Sequence, residues 1–236
     1  MQPGRIVLRT NSPIASDSVD HLFPHGTAKD STHWPPFVVA CEKLFGVGMS
    51  VLDLGCAGGG LVYDFASRGH DAYGLEGSDF SMKQGRAEWA RIPDRLFTCD
   101  LAAPFALLNP DTGQIRKFDI VMAWDVLEHI PKTALSTLFS TVRDHMNKNG
   151  IFVGSVSTRA AGIAPDGRNY HATVENKAWW LAQLQASGLY PAYPMPFDFA
   201  DYPRGNGNNF PANFADNPES GFHFSVRKHD HAVALA

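Results

Sequence analysis

The chain has 236 residues, 44% of them apolar or aromatic and 19% charged, enough for one well-packed core or at most two small ones. With 21 Gly and 16 Pro it is richer in loops than an average domain, yet neither disordered nor fibrous. Its 20 basic and 24 acidic residues give a net charge of −4, which argues against a broad nucleic-acid surface: DNA is not expected as a partner and RNA is disfavoured.

The N-terminal stretch MQPGRIVLRTNSPIASD lacks the apolar segment of a signal peptide, and residues 1–34 read as a polar arm ahead of a first core helix near 36–45. No run approaches the roughly 18 uncharged apolar residues of a membrane span, since Glu42, Lys43 and Asp53 interrupt the apolar regions. Cys41, Cys56 and Cys99 are expected as buried free thiols, and a cytoplasmic location goes with them.

From residue 50 short β-branched runs alternate with helical patterns. Ser50–Leu54 reads as a strand, followed by a glycine-rich turn and a helix to about Ser67. Asp71–Leu75 is a second strand, and a helix capped by Ser78 or Asp79 is expected to run to Pro93. Arg95–Cys99 and Phe118–Trp124 are the third and fourth strands. A helix beginning at Pro131 aligns Leu135, Leu138, Phe139, Val142 and Met146 on one face and ends at Gly150, before a fifth strand over Ile151–Ser157. A further helix, Asn176 to Ser187, stops at Gly188. This alternation predicts an α/β, Rossmann-like, doubly wound and mostly parallel sheet. The expected domain covers 35–228, with an irregular, proline- and asparagine-rich insert at 191–220, an antiparallel closing strand at Gly221–Lys228 and a tail at 229–236.

The first strand–helix turn reads VLDLGCAGGG, and Glu76 lies 21 residues beyond Gly55 at the end of the second strand. Glycines there let a ligand approach the backbone, and a carboxylate at Glu76 can accept both ribose hydroxyls. A nucleoside cofactor is expected. Asp53 beside the turn would repel a pyrophosphate but could hold an amino group, and Asp100 could accept from an adenine amine, so the lining opposes NAD.

VLDLGCAGGG, GLEGSD, LFTCDL, FDIVMAWDVLEHI and NKNGIFVGSVS, in that order from about residue 36 to 190, resemble the successive motifs of class I S-adenosylmethionine methyltransferases. The resemblance implies a seven-stranded sheet and S-adenosylmethionine as cofactor. It puts Asp53, Gly55 and Gly59 at the methionine end, Glu76 at the ribose, Asp100 and Leu101 at the adenine, and Trp124 near the methyl donor. Cys56, Ala57 and Gly77 join the same lining. Ala57 stands where the family usually has its second glycine, and simple core packing would account for Trp124 equally well.

Asp125, Glu128 and His129 follow the fourth strand and would share one face of a helical turn, with His171 at the same sheet edge. Three readings stay open: a divalent site for Mg, Mn, Zn or Fe; His129 or His171 as a general base with Asp125 beside it; or a structural pair. The metal reading resembles the terminal-ribose methyltransferases of small RNAs and, more loosely, the E-x-x-E-H of ubiquinone-pathway O-methyltransferases. The arm, with His21 and His25, and the insert are expected to meet as a lid over the cofactor. Phe197, Phe199, Tyr202, Phe210 and Phe214, interleaved with Asn206, Asn208, Asn209, Asn213 and Arg204, would suit a sugar ring. Looser similarity to stand-alone methyltransferases of surface-glycan gene clusters points the same way. The expected activity is O-methylation of a sugar, glycan or similar small polar acceptor. The alternatives are metal-dependent 2′-O-methylation of an RNA 3′-terminal ribose and an inactive cofactor-binding scaffold.

Overall fold

The computed structural model describes residues 6–207 and 213–228. Asn208, Asn209 and Phe210 of the expected lid, and the tail, lie outside them. In chain order the elements are β1 (Val7–Thr10), α1 (Val19–Leu22), α2 (Gly26–Lys29), α3 (Pro35–Phe45), β2 (Ser50–Leu54), α4 (Gly60–Ser67), β3 (Asp71–Glu76), α5 (Phe80–Lys83), β4 (Leu96–Thr98), β5 (Phe105–Leu108), β6 (Phe118–Trp124), α6 (Lys132–His145), β7 (Met146–Ser157), α7 (Lys177–Ala186), β8 (Leu189–Pro191) and β9 (Gly221–Lys228).

Seven strands form one sheet in the order β4-β3-β2-β6-β7-β9-β8. The first five are mutually parallel, and β9 lies antiparallel between β7 and β8. The sheet is thus the expected doubly wound one, with the closing strand inserted inside the edge rather than at it. All five β2 residues are buried, as a strand covered on both faces requires. One face packs Leu135, Leu138, Phe139 and Val142 of α6 with Trp180 and Leu184 of α7. The other packs Phe37, Val38 and Cys41 of α3 with Leu61, Val62 and Phe65 of α4. Each such side chain contributes roughly 1.5–3 kcal/mol by leaving water.

Two expectations are corrected. Residues 1–34 are more than an arm, because β1 pairs antiparallel with β5 in a separate two-stranded sheet. The helix expected from Ser78 to Pro93 breaks after one turn: Gly85 and Ala87 take positive φ of 54° and 50°, a conformation that no α-helix continues through. The three cysteines are free and buried. Among the described residues no helix is long and apolar enough to cross a membrane.

Candidate active site

β2 and β6 are adjacent, so their carboxyl ends open a crevice where the strand order reverses, the usual ligand position in such sheets. The turn after β2 is shaped for close approach. Gly55 has φ +72°, and a Cβ there would sit 2.4 Å from Val126. Ala57, the departure from the family pattern, also takes positive φ, 46°, so its methyl group is carried in a conformation that favours glycine.

Glu76, buried at the end of β3, binds this turn directly. Its Oε2 accepts from the Ala57 N–H at 2.7 Å and its Oε1 from the Ser78 N–H at 3.1 Å. A carboxylate has about four acceptor sites, so capacity for two hydroxyls remains. Burial pushes the Glu76 pKa up to about 7 against these N–H bonds. Asp53 is buried behind the turn, and burial followed by the charge of Glu76 raises its pKa well above the carboxylate range.

The crevice is walled by Asp53, Gly55, Cys56, Ala57, Leu61 and Trp124 from the core, by Asp30 and Thr32 from the arm, and by Pro203 and Arg204 from the insert. The two irregular segments therefore do meet over the glycine turn. Asp30 and Arg204 form an ion pair, Trp34 Nε1 donates to the Asp201 carbonyl at 2.8 Å, and the Gly58 N–H donates to the Asp30 carbonyl at 3.0 Å. Further along, the Asp100 N–H donates to the Ser12 carbonyl at 3.0 Å and the Ala15 N–H to the Gly77 carbonyl at 2.8 Å. Asp100 spends one oxygen on the Ala102 N–H at 2.9 Å, and Leu101 is buried beside it. Sequence reasoning missed Ser12, Ala15 and Thr32, which approach through backbone atoms and so leave no signature in residue type.

Trp124 is buried at the crevice wall. Its ring meets Phe37 edge to face at 5.0 Å and Tyr202 at 5.8 Å, and its Nε1 has no hydrogen-bond partner among the described residues. The insert's aromatics are largely spent in packing: Phe197 lies 5.0 Å from Phe37, and Phe214 closes over Gly205 and Gly221. Asn206 Nδ2 donates to the Tyr202 carbonyl, and Asn213 Nδ2 to Asp216 at 2.6 Å. Phe197, Tyr202, Phe214, Asn206 and Asn213 of the expected sugar platform therefore pin the insert, while Phe199 stays exposed.

At the end of β6 the expected four donors divide. Asp125 has φ +53°, which turns its carboxylate to β7, where Oδ1 accepts from the Ser155 hydroxyl at 2.6 Å. Glu128 is fully buried, and its Oε1 accepts from the Ser157 N–H at 2.8 Å. Burial, then the neighbouring Asp125, raises the Glu128 pKa well above its usual range. Among the described residues no three His, Cys, Asp or Glu side chains converge to hold a metal ion. β7 holds Asp125 Oδ1 and Glu128 Oε1, while Glu128 Oε2 is buried with no hydrogen-bond partner among the described residues; Asp125, Glu128, His129 and His171 do not converge on one point.

His129 and His171 do come together, ring centroids 5.0 Å apart and edge to face. Burial first, then the second imidazole, lowers the His129 pKa to about 4. His171 is lowered mainly by burial. Its Nδ1 lies 2.6 Å from the Arg159 carbonyl, which can only accept, so Nδ1 carries the proton and Nε2 is the free acceptor. The arm borders this pair: His25 lies 5.4 Å from the Tyr170 ring, and Tyr170 donates its hydroxyl to the Phe23 carbonyl at 2.9 Å.

Residues 28–194 match a protein family described as the methyltransferase domain. The chain belongs to the methyltransferase domain family. Two curated relatives are ubiquinone biosynthesis O-methyltransferases. The one from Azorhizobium caulinodans is 30% identical over 116 residues, 48% of this chain and 42% of its own. The one from Pasteurella multocida is 26% identical over 121 residues, 48% of each chain. The chain thus spans about half the length of the curated relatives it matches. Among solved structures, the 1,6-didemethyltoxoflavin-N1-methyltransferase of Burkholderia thailandensis, with its substrate and S-adenosylhomocysteine bound, superposes with a TM-score of 0.56 at 16% identity, covering 89% of this chain and 84% of that one. At that identity the likeness concerns the fold. Of the methyltransferase motifs, the turn after β2 and Trp124 at the end of β6 fall on the crevice wall.

Proposed function

We propose that the protein transfers a methyl group from S-adenosylmethionine to a hydroxyl of a small polar acceptor, with sugars and glycans the first class to test. The observation that carries the acceptor chemistry is the edge-to-face pair of neutral imidazoles, His129 and His171, beyond β6. A neutral amine attacks through its own lone pair and sheds a proton afterwards, whereas an alcohol must lose its proton as the methyl group arrives.

The cofactor reading rests on the crevice. Glu76 keeps lone pairs for ribose hydroxyls, Asp100 and Leu101 border the adenine end, and Gly55, Cys56, Ala57, Gly59 and Gly77 form the backbone around it. The sulfonium supplies an electrophilic methyl group. Trp124 offers an aromatic wall to that positive charge. His129, neutral at pH 7, accepts the acceptor's proton. His171 is fixed by the Arg159 carbonyl and steadies the pair, while Asp125 acts as a positioning residue through Ser155. A cytoplasmic setting accords with the three free thiols.

Methylation of an RNA 3′-terminal ribose through a metal has less support, since among the described residues no three His, Cys, Asp or Glu side chains converge. The test is transfer of labelled methyl from S-adenosylmethionine to separate pools of sugars, nucleotide sugars, phenols, amines and short RNAs. Label in a hydroxyl-bearing small-molecule pool is expected. Label confined to amines or to RNA overturns the acceptor assignment, and cofactor binding without transfer to any pool favours a scaffold.

A further inference from the structure

The crevice wall carries an ion pair drawn from distant parts of the chain: Asp30 follows α2, and Arg204 lies in the insert. Their side chains are 29% and 13% exposed, so both charges are largely withdrawn from water. Burial lowers the Arg204 pKa to about 10. An ion pair in such surroundings is weak evidence for stability, because desolvation offsets its Coulomb gain. Its place in the wall calls for another reason.

One unsatisfied donor lies in the same wall. Among the described residues Trp124 Nε1 is buried without a hydrogen-bond partner. Buried polar groups left unpaired are uncommon and point to a missing partner. Asp53 adds a second buried carboxylate to the same crevice. The lining therefore offers two carboxylates together with a guanidinium and a neutral donor. That set complements an ammonium and a carboxylate on one small molecule, which is what an α-amino acid carries.

We propose that Arg204 and Asp30 are the recognition pair for the zwitterionic amino-acid end of S-adenosylmethionine, Arg204 receiving its carboxylate and Asp30, with Asp53, its ammonium. The guanidinium fork suits a carboxylate better than a lysine would. With the zwitterion between them, positive and negative groups alternate and no net charge is added to the crevice. The arm and the insert are then joined through the ligand as well as to each other. This rests on the cofactor reading above and is independent of the acceptor.

The test is calorimetric binding to the full chain of two ligands: S-adenosylhomocysteine, which has the amino-acid end, and 5′-methylthioadenosine, which lacks it. Arg204→Gln is expected to weaken S-adenosylhomocysteine about tenfold or more, and 5′-methylthioadenosine less than about twofold. Arg204→Lys, which keeps the charge, is expected to fall between. Exchanging the charges, with Asp30→Arg and Arg204→Asp together, restores a latch but reverses the field, so S-adenosylhomocysteine binding is expected to stay weak. Rescue by the exchanged pair, an equal loss of both ligands in Arg204→Gln, or wild-type affinity in that variant overturns the proposal. A wild-type chain that binds both ligands equally well overturns it alone. A wild-type chain that binds neither overturns the cofactor reading as well.

Discussion

His129 and His171, 42 positions apart in the chain, meet with their ring centroids 5.0 Å apart and their planes at 81°. One follows β6 and the other lies in the loop beyond β7, so the pair exists because those strands are parallel neighbours. Replacing His129 by Ala is expected to reduce kcat about 10²- to 10⁴-fold while S-adenosylhomocysteine binds within about threefold of wild type. For His171→Ala the fall in kcat is expected to be smaller, since His171 positions the base rather than taking the proton. Chelators are expected to leave turnover unchanged, because among the described residues no three ligand-type side chains converge. Paired kinetics and calorimetry check this: equal loss of binding and turnover in His129→Ala contradicts the base assignment.

Glu76 links ligand affinity to pH. Its carboxyl is raised to about 7, mainly by burial, so lowering the pH from 8 to 6 protonates it in the free protein and removes an acceptor. S-adenosylhomocysteine affinity is expected to fall across that window, and in Glu76→Gln the dependence should vanish. The amide also sets an N–H against the Ala57 or Ser78 N–H, leaving a buried donor unsatisfied at a cost of about 1–3 kcal/mol. Calorimetry at several pH values together with urea unfolding separates the two effects. An unchanged pH slope in Glu76→Gln contradicts the assignment.

What the sequence made legible here is what depends on local pattern. The strand, the glycine turn and Glu76 lie within 27 residues, from Ser50 to Glu76, and each leaves a residue-type signal. The histidine pair was within reach because sheet order brings the ends of β6 and β7 to one edge. The four donors proposed for a metal do not converge among the described residues, and no spacing rule contains the reason: Ser155 and the Ser157 N–H on the neighbouring strand each hold one oxygen of Asp125 and Glu128. Likewise the helix after Asp79 stops ahead of the positive φ of Gly85 and Ala87, where Arg86 Nη2 donates to the Thr27 carbonyl at 2.7 Å. Binding of the arm through backbone carbonyls is invisible to residue type. His145, which belongs to no motif, accepts from the Leu107 N–H at 3.0 Å and ties α6 to β5.

Gly58 is where the arm touches the glycine turn. A Cβ there would lie 2.5 Å from the Ser31 side chain and 2.7 Å from the Asp30 carbonyl oxygen. The backbone oxygen cannot rotate away, so Gly58→Val is expected to push residues 30–32 off the turn. Limited proteolysis should then cut within the arm several times faster than in wild type, with the sheet core intact by circular dichroism. The cost to stability is expected near 1–3 kcal/mol, as for other overpacked contacts. Protection of the arm equal to wild type contradicts the contact.

His223 couples the insert to the sheet and makes that coupling sensitive to acid. From β9 its ring stacks on Tyr202 with centroids 4.0 Å apart, and its Nε2 donates to the Arg204 carbonyl at 2.6 Å. Burial, ahead of any other cause, lowers its pKa to about 4, against about 6.5 in an unfolded chain. Above that unfolded value both states are neutral and the contribution is complete. As pH falls from about 6.5 to 4 the unfolded chain takes up a proton that the folded one refuses, so stability is lost through that window. Glu76 and Asp125, whose values are raised to about 7 and 6, act with the opposite sign over the same range. The whole-protein curve therefore mixes these contributions, and a single-site difference isolates one. His223→Gln is expected to be less stable than wild type by roughly 1–2 kcal/mol near pH 7.5, from the lost stacking and hydrogen bond. That gap should shrink steadily toward pH 4.5, where wild type bears the cost of a histidine it cannot charge. Urea titrations of both proteins at four or five pH values measure the gap, and a difference that stays constant with pH contradicts the neutral, buried state assigned to His223.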